Sequence, residues 1–355
     1  QMCAKYGAGV IEATMQELLN YSERRFRAAL AEIPDGVYVG EDAVDDDGIS
    51  DQPLTVKAKV TIAGDTVAID FAGTCKQVSR NLNCPFSSTV SATLSCVKSV
   101  LTSPDIPFNE GVKRPITITA PEGSLLNPTY PAPVRARMEA AYRAFNAVMK
   151  ALSQVVPEMV ISGGHDTTTV AAISHLGDTG YRVYLEVFGG GYGASAHLDG
   201  CDGVDSPLSN CSNAPIEASD MDFDHFRITE YSLLGDSSGH GRLRGGLGIV
   251  RRYEILKDDV NFAIYADRFR IAPYGLFGGS DGSRGRCEIM RNGEIIPVRS
   301  KDGLMLQKGD VLTIYTSGGA GYGDAAERDA ALVRRDVAEG HLSEATARAA
   351  YPHAF

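Results

Sequence analysis

Asp236-Ser237-Ser238-Gly239-His240-Gly241-Arg242-Leu243-Arg244-Gly245-Gly246-Leu247-Gly248 runs straight into Gly248–Leu256, a short stretch of strand type. The same alternation fills residues 158–320. Thr168–Ile173, Tyr181–Phe188, Val260–Tyr265, Cys287–Met290 and Val311–Tyr315 read as strands and are separated by glycine-rich loops. Outward from this region the periodicity becomes helical. Val10, Met15, Leu18, Leu19, Phe26, Leu30 and Ile33 predict a long amphipathic helix over 8–33, stopped by Pro34-Asp35-Gly36. Thr55–Ile62 and Thr66–Phe71, joined by Ala63-Gly64-Asp65, predict a hairpin. Helices are expected over 86–102 and 134–153, a strand over 115–119, and two short helices between Ala325 and Tyr351. The sum is an α+β chain: strand-rich mixed sheets, a long N-terminal helix, a central helix and two short C-terminal helices. The expected segments are 1–157, 158–324 and 325–355.

Composition narrows the function. With 355 residues, 43% of them hydrophobic, the chain can bury a sizeable core. Its net charge of −11, with Lys and Arg scattered, argues against nucleic acid or an anionic membrane as partner, since both require a basic face. Seven cysteines without a C-x-x-C pair fit reduced thiols, and no apolar run approaches the ~18 residues of a membrane span. The chain is therefore expected to be soluble and cytoplasmic. It opens Gln1-Met2-Cys3-Ala4-Lys5-Tyr6-Gly7, which resembles the last turn of a helix stopped by glycine and suggests further sequence upstream.

Familiar catalytic motifs fail one by one. Gly235-Asp236-Ser237-Ser238-Gly239 and Gly278-Gly279-Ser280-Asp281-Gly282 match G-x-S-x-G. A nucleophile elbow needs a helix after the serine, and neither stretch has one. Asp220-Met221-Asp222-Phe223-Asp224-His225 begins like a calcium loop but has His225 where glycine is needed and Tyr231 where glutamate is needed. Asp45-Asp46-Asp47-Gly48 reads as an acidic turn without calcium spacing, and His165-Asp166 and His197-Leu198-Asp199 lack the spacing that gathers metal ligands. No G-x-x-x-x-G-K-[ST] occurs, and Gly189-Gly190-Gly191-Tyr192-Gly193 does not continue into a dinucleotide fingerprint. The 236–248 loop admits two readings. Its glycines allow positive φ and close approach to a ligand while Arg242 and Arg244 fork onto a carboxylate or phosphate, or it is a tight structural loop whose arginines pair with nearby acids.

The loop resembles the D-S-G-G-x-G-x-x-R-G-G-x-G signature of the hydantoinase B/oxoprolinase family. Other landmarks occur in that family's order: Ile33-Pro34-Asp35-Gly36, Asp70-Phe71-x-Gly73-Thr74, Asn81-x-Asn83-Cys84-Pro85, Asp105-Ile106-Pro107-x-Asn109-x-Gly111, Gly189-Gly190-x-Tyr192-Gly193-Ala194 and Gly318-Gly319-x-Gly321-Tyr322-Gly323-Asp324. The resemblance implies the B-type subunit of an ATP-dependent cyclic-amide hydrolase of the N-methylhydantoinase/5-oxoprolinase type. In that scheme a hydantoinase A-type partner uses ATP to phosphorylate the small-molecule substrate, and the pair form a hetero-oligomer. It implies a divalent metal held by an N-terminal region not found in this chain, so no metal ligand is carried over, and activity of the chain by itself is not expected. It also places Asn81, Asn83, Asn109, Asp236, Arg242 and Arg244 on or behind the cavity wall, with Gly189, Gly191, Gly239, Gly245 and Gly246 as backbone positions of the site. The alternatives are the α subunit of an ATP-dependent ketone carboxylase and an inactive interaction module.

Overall fold

The computed structural model describes residues 1–177, 180–205, 207–209 and 212–355. The architecture is α+β, and its contacts divide it into two units, residues 1–43 with 55–160 and residues 44–54 with 161–355. Cys211 lies outside the described residues.

In the first unit, α1 (Met2–Tyr6) ends on Gly7 at φ 85°, and α2 follows over Ala8–Ala31. Only Ser22, Phe26 and Leu30 of α2 are buried, whereas Val10, Met15 and Leu18, expected on the core side, are exposed. Close packing is seen at Leu19, whose carbonyl a Cβ on Gly111 would meet at 2.0 Å. Periodicity marks an apolar face without saying what covers it. The sheet has strand order β1-β2-β3-β4, with β1 Gly36–Val44, β2 Leu54–Ala63, β3 Thr66–Asp70 and β4 Ile116–Thr119. β2 and β3 form the expected hairpin, turned at Gly64 with φ 57°. β3 and β4 are parallel, and the long connection a parallel pair needs carries α3 (Phe86–Leu101) and α4 (Glu110–Lys113). β1 has no clear sequence signal because its alternation is interrupted by Gly40, Glu41 and Asp42. Gly40 sits where a Cβ would lie 2.1 Å from the Ala147 carbonyl, so the strand lies directly against α5 (Met138–Leu152). That helix is buried almost all round. Its polar Arg143 and Asn146 are tolerated because both donate to Asp42, each at 3.1 Å.

The second unit is a sandwich. A five-stranded sheet of order β11-β10-β13-β8-β7 faces a four-stranded sheet of order β12-β9-β5-β6, all pairings antiparallel. The strands are β5 Thr169–Gly177, β6 Gly180–Phe188, β7 Phe226–Leu234, β8 Gly248–Ile255, β9 Val260–Tyr265, β10 Arg286–Arg291, β11 Glu294–Val298, β12 Lys301–Leu306 and β13 Val311–Tyr315. Ile173, Phe188 and Phe262 of one sheet share a core with Tyr253, Ile289 and Ile314 of the other. One ion pair lies inside that core: Arg251 donates to Glu186 at 2.7 Å, and Tyr253 and Tyr184 donate to the same carboxylate. β7, β11 and β12 go beyond the strands expected. Their sequences are polar at alternate positions or broken by Pro297 and Gly303.

The acidic turn has a structural role. Asp45 is fully buried, and its carboxylate accepts the backbone N–H groups of Phe269, Arg270 and Ile271. It pins the 44–54 segment to the loop at 269–271. The C-terminal tail forms α7 (Ala330–Ala338) and α8 (Glu344–Ala350) around a small core of Val333, Leu342, Ala347, Tyr351 and Ala354. No helix among the described residues is long and apolar enough to cross a membrane.

Candidate functional site

The 235–248 loop leaves β7 and enters β8, and its ends are clasped by one side chain. Ser237 Oγ donates to the Leu234 carbonyl at 2.6 Å and accepts the Gly248 N–H at 2.9 Å. Ser280, in the other G-x-S-x-G stretch, accepts the His240 N–H at 2.7 Å. Both serines are bound up in loop geometry and neither precedes a helix, so neither forms a nucleophile elbow.

Of the two readings of the loop glycines, the positive-φ one does not hold. Gly239, Gly241, Gly245 and Gly246 do not have positive φ; the strained residue is Asp236, at φ 59°. What the loop approaches closely is the chain itself. Gly239 N–H donates to Gly319 O, Gly319 N–H to Gly246 O and Gly246 N–H to Tyr192 O, each at 2.8 Å. Three segments from far apart in sequence (189–193, 239–246 and 316–323) thus hydrogen-bond into a layer without forming a regular sheet. A Cβ on Gly245 would sit 1.8 Å from Gly319 O, and one on Gly191 2.0 Å from Gly246 O. Side chains are excluded there by backbone contact. Gly189, pressed in the same way against Val204, completes the set of five glycines singled out in the sequence.

Arg244 is buried, and all its valences are used inside the protein. It grips Asp202 through both terminal nitrogens (2.8 and 3.2 Å), donates from Nε to Asp336 at 3.2 Å and meets His341 at 3.1 Å. Arg328 repeats the pattern with Asp199 (2.7 and 2.9 Å) and Asp336 (2.7 Å). Burial alone would raise the Asp199 carboxyl, but the Arg328 hydrogen bond and charge outweigh it and hold it below the ordinary carboxylate range. Bidentate guanidinium–carboxylate pairing of this kind is the strong form of the interaction. Arg242 differs: it is half-exposed, donates to the Ala196 carbonyl at 3.0 Å and lies 3.8 Å from Glu327. Asp236 is tied to the tail, accepting the Ser343 N–H at 2.7 Å and donating its own N–H to His341 O.

The other three candidates lie in the first unit. Asn83 is fully buried and staples a loop, accepting from Val78 N and donating to the carbonyls of Val78, Arg80 and Pro133. Asn81, two residues earlier, accepts the Ala136 N–H on its carbonyl. Asn109 caps α4 and donates to Ser22 on α2 at 2.8 Å. The structure therefore groups Asn81 with Asn83, and Asp236 with Arg242 and Arg244.

Sequence reading misses the acids that hold the arginines, Asp199, Asp202 and Asp336. Asp199 stands out in the sequence only as a candidate metal ligand beside His197. The signal available is the pairing rule itself, since a buried arginine requires carboxylates, but nothing in the sequence says which ones. His165 is likewise held internally, with Nδ1 2.7 Å from Ser317 Oγ and Nε2 3.2 Å from Thr169 Oγ1. Asp220 accepts the Ile228 N–H, so the calcium-like stretch supports β7. No group of three or more His, Cys, Asp or Glu side chains among the described residues is placed to hold a metal ion.

A sandwich closed by stacked glycine segments and locked to its own tail by buried arginines defines an α+β scaffold protein with a preorganised, charged loop. The chain belongs to the hydantoinase B/oxoprolinase family, whose model matches residues 1–325. It is 34% identical to the putative D-/L-hydantoinase B-type chain of Pseudomonas sp. (strain NS671), over 99% of this chain and 61% of that protein's length. Among solved structures it superposes on the ATP-dependent caprolactamase from Pseudomonas jessenii with a TM-score of 0.88 at 26% identity, over 98% of this chain and 62% of that one. It shares its fold with acetone carboxylase in the nucleotide-free state, TM-score 0.87 at 18% identity, over 99% of this chain and 53% of that one. The chain thus spans about three-fifths of the length of the hydantoinase chain it matches.

Proposed function

We propose that this chain belongs to the B-type subunit of an ATP-dependent cyclic-amide hydrolase of the hydantoinase/5-oxoprolinase type, a cytoplasmic enzyme acting on a substrate phosphorylated by an A-type partner. The observation that carries this reading is the superposition on a caprolactamase, itself named as ATP-dependent, together with the family match along the chain. A cyclic amide is a poor electrophile, and phosphorylating its carbonyl oxygen supplies a leaving group. The part assigned to this chain is rigid positioning. Asp236 and Arg242 sit at the rim of a loop that Arg244 and the glycine layer hold still, and preorganised groups of this kind act without reorganising at the moment of reaction. No group of three or more His, Cys, Asp or Glu side chains among the described residues fits a metal ion, so no metal step is assigned to them. We place the divalent metal with further sequence of a complete subunit and ATP on the partner, consistent with the lack of a phosphate-binding loop in this sequence.

The test is reconstitution of a complete subunit with its A-type partner, scoring ATP-dependent ring opening of hydantoin, 5-oxoproline and caprolactam. Replacing Arg242 by Ala is expected to lower kcat/KM by about tenfold or more while leaving the thermal midpoint in place. Unchanged kcat/KM would remove Arg242 from the site. The shared fold with acetone carboxylase favours a second reading, the α subunit of a ketone carboxylase. Substrate-dependent ATP hydrolysis that requires bicarbonate would select it.

A further inference from the structure

We infer that the open end of the sandwich, between β5–β6 on one side and β7–β8 on the other, is a binding site for inorganic phosphate. Ile173 and Tyr184 are paired across β5 and β6 and belong to the apolar core. Two residues further along, on the same face, the pair is His175 with Arg182. From the other sheet His225, just before β7, stacks its ring on His175 with centroids 5.8 Å apart. The His225 carbonyl accepts the Leu256 N–H at 3.0 Å, which brings Lys257, just past β8, to the same place. Apolar packing stops here. A cavity of about 340 Å³ takes its place, with His175, Arg182, Asp224, His225 and Lys257 in its walls. That volume suits a small ligand. Polar groups at core-facing positions weaken a fold unless they have a task.

Charge selects an anion. Arg182 and Lys257 bring two cations to the cavity, against the single carboxylate of Asp224, while Asp220 and Asp222 line an adjoining cavity instead. Asp224 lies 3.7 Å from Lys257 and is mostly exposed. Arg182 donates to the Asp222 carbonyl at 2.5 Å and has no carboxylate partner among the described residues. His225 then selects which anion. Its side chain is fully buried, and its Nδ1 has no hydrogen-bond partner among the described residues. A buried polar atom left in that state calls for an explanation. Nε2 lies 3.5 Å from the Ile173 carbonyl, which only accepts, so the ring proton is assigned to Nε2. Burial holds the ring below the ordinary histidine value, which leaves it neutral near pH 7 and Nδ1 an acceptor without a donor. Asp224 Oδ1, 3.8 Å away, is an acceptor as well and cannot serve. The ligand that completes the site is an anion carrying a proton. Inorganic phosphate keeps one near neutral pH, sulfate has none, and phosphate monoesters lose theirs at about pH 6.

Isothermal titration calorimetry of the full chain near pH 7 with inorganic phosphate, sulfate and phenyl phosphate tests this. Phosphate is expected to bind about tenfold or more tightly than either of the others. His225→Phe keeps the edge-to-face ring contacts with Phe223 and Phe226 but removes the acceptor. It should bring phosphate down to the level of sulfate and leave sulfate unchanged. Arg182→Ala, at the exposed rim, should weaken phosphate about tenfold with an unchanged thermal midpoint, which separates loss of the site from loss of the fold. No phosphate binding at millimolar concentration, phosphate and sulfate bound alike, or an affinity indifferent to both substitutions overturns the inference. So does tighter binding of phenyl phosphate than of phosphate, because the site then reads something other than the proton.

Discussion

Asp45 shows how much one carboxyl can report. Burial first, and the neighbouring Asp267 charge second, push it up to about 6 from 3.8, against the backbone N–H groups of Ile271 and Arg270 and the Lys301 charge. The folded state therefore binds this proton more tightly than the unfolded chain. The stability it contributes is full below about pH 4 and is lost as pH rises through 6, a term on the order of 1–3 kcal/mol. Replacing Asp267 by Asn removes the like charge, so urea unfolding of that variant relative to wild type should become steadily more favourable to the folded state between pH 4 and 7. A pH-independent difference would show that the two carboxyls do not communicate. Arg244 tests the opposite case. Taking it out as Arg244→Ala leaves Asp202 without its bidentate partner and Asp336 with Arg328 alone, and the expected loss of stability is about 3–5 kcal/mol. A loss under about 1 kcal/mol, the value of an exposed pair, would mean that the network is wet.

At the scale of elements, the glycine layer and the tail are one device. Gly245→Ala forces a Cβ into the Gly319 carbonyl and should prevent folding, while Gly9→Ala, with nothing within 4 Å, should be neutral or stabilising by up to about 1 kcal/mol. Soluble expression and thermal unfolding of the two variants make the comparison. Tyr351 reaches from the tail to accept the Gly241 N–H at 3.1 Å, so Tyr351→Phe is expected to cost about 1 kcal/mol and to speed hydrogen exchange of the loop amides. Unchanged exchange there would mean the tail does not hold the loop. The regular elements with strong periodicity are readable in the sequence, including α3, α5, β8, β9 and the β2–β3 hairpin. β1, β7, β11 and β12 escape because their partners, not their patterns, make them strands. The fate of Arg242 and Arg244 is undecidable from sequence for the same reason. Their spacing allows either ligand binding or internal pairing, and only the folded chain brings Asp202 and Asp336 to one of them.

For the whole molecule, family membership is legible because landmarks spread along the chain agree in order even though each is weak alone. The site is less so. The six candidates divide between two units, and most of their polar atoms are engaged in holding loops together, a role that motif spacing does not distinguish from catalysis. At this scale the prediction is functional: with an A-type partner, a complete subunit carrying this sequence should consume ATP only when a cyclic amide is present. Substrate-independent ATP hydrolysis would argue for a different coupling.

The layer of Gly191, Gly246 and Gly319 also sets a schedule. Its first and last segments are separated by about 130 residues, so during synthesis at roughly 5–20 residues per second the 189–193 segment emerges some 6–25 s before the 316–323 segment that completes the layer. Gly190 and Tyr192 can meanwhile pair with Val204, Cys201 and Gly246, but the Gly191 N–H, which donates to Ser317 O at 3.0 Å, has only water to satisfy it. The five-stranded sheet likewise lacks its interior strand β13 until residues 311–315 emerge, so the second unit cannot be completed from its N-terminal end. It closes late and all at once, when Gly319 and the tail arrive, and a nascent chain stalled before that point should remain protease-sensitive across the entire sandwich.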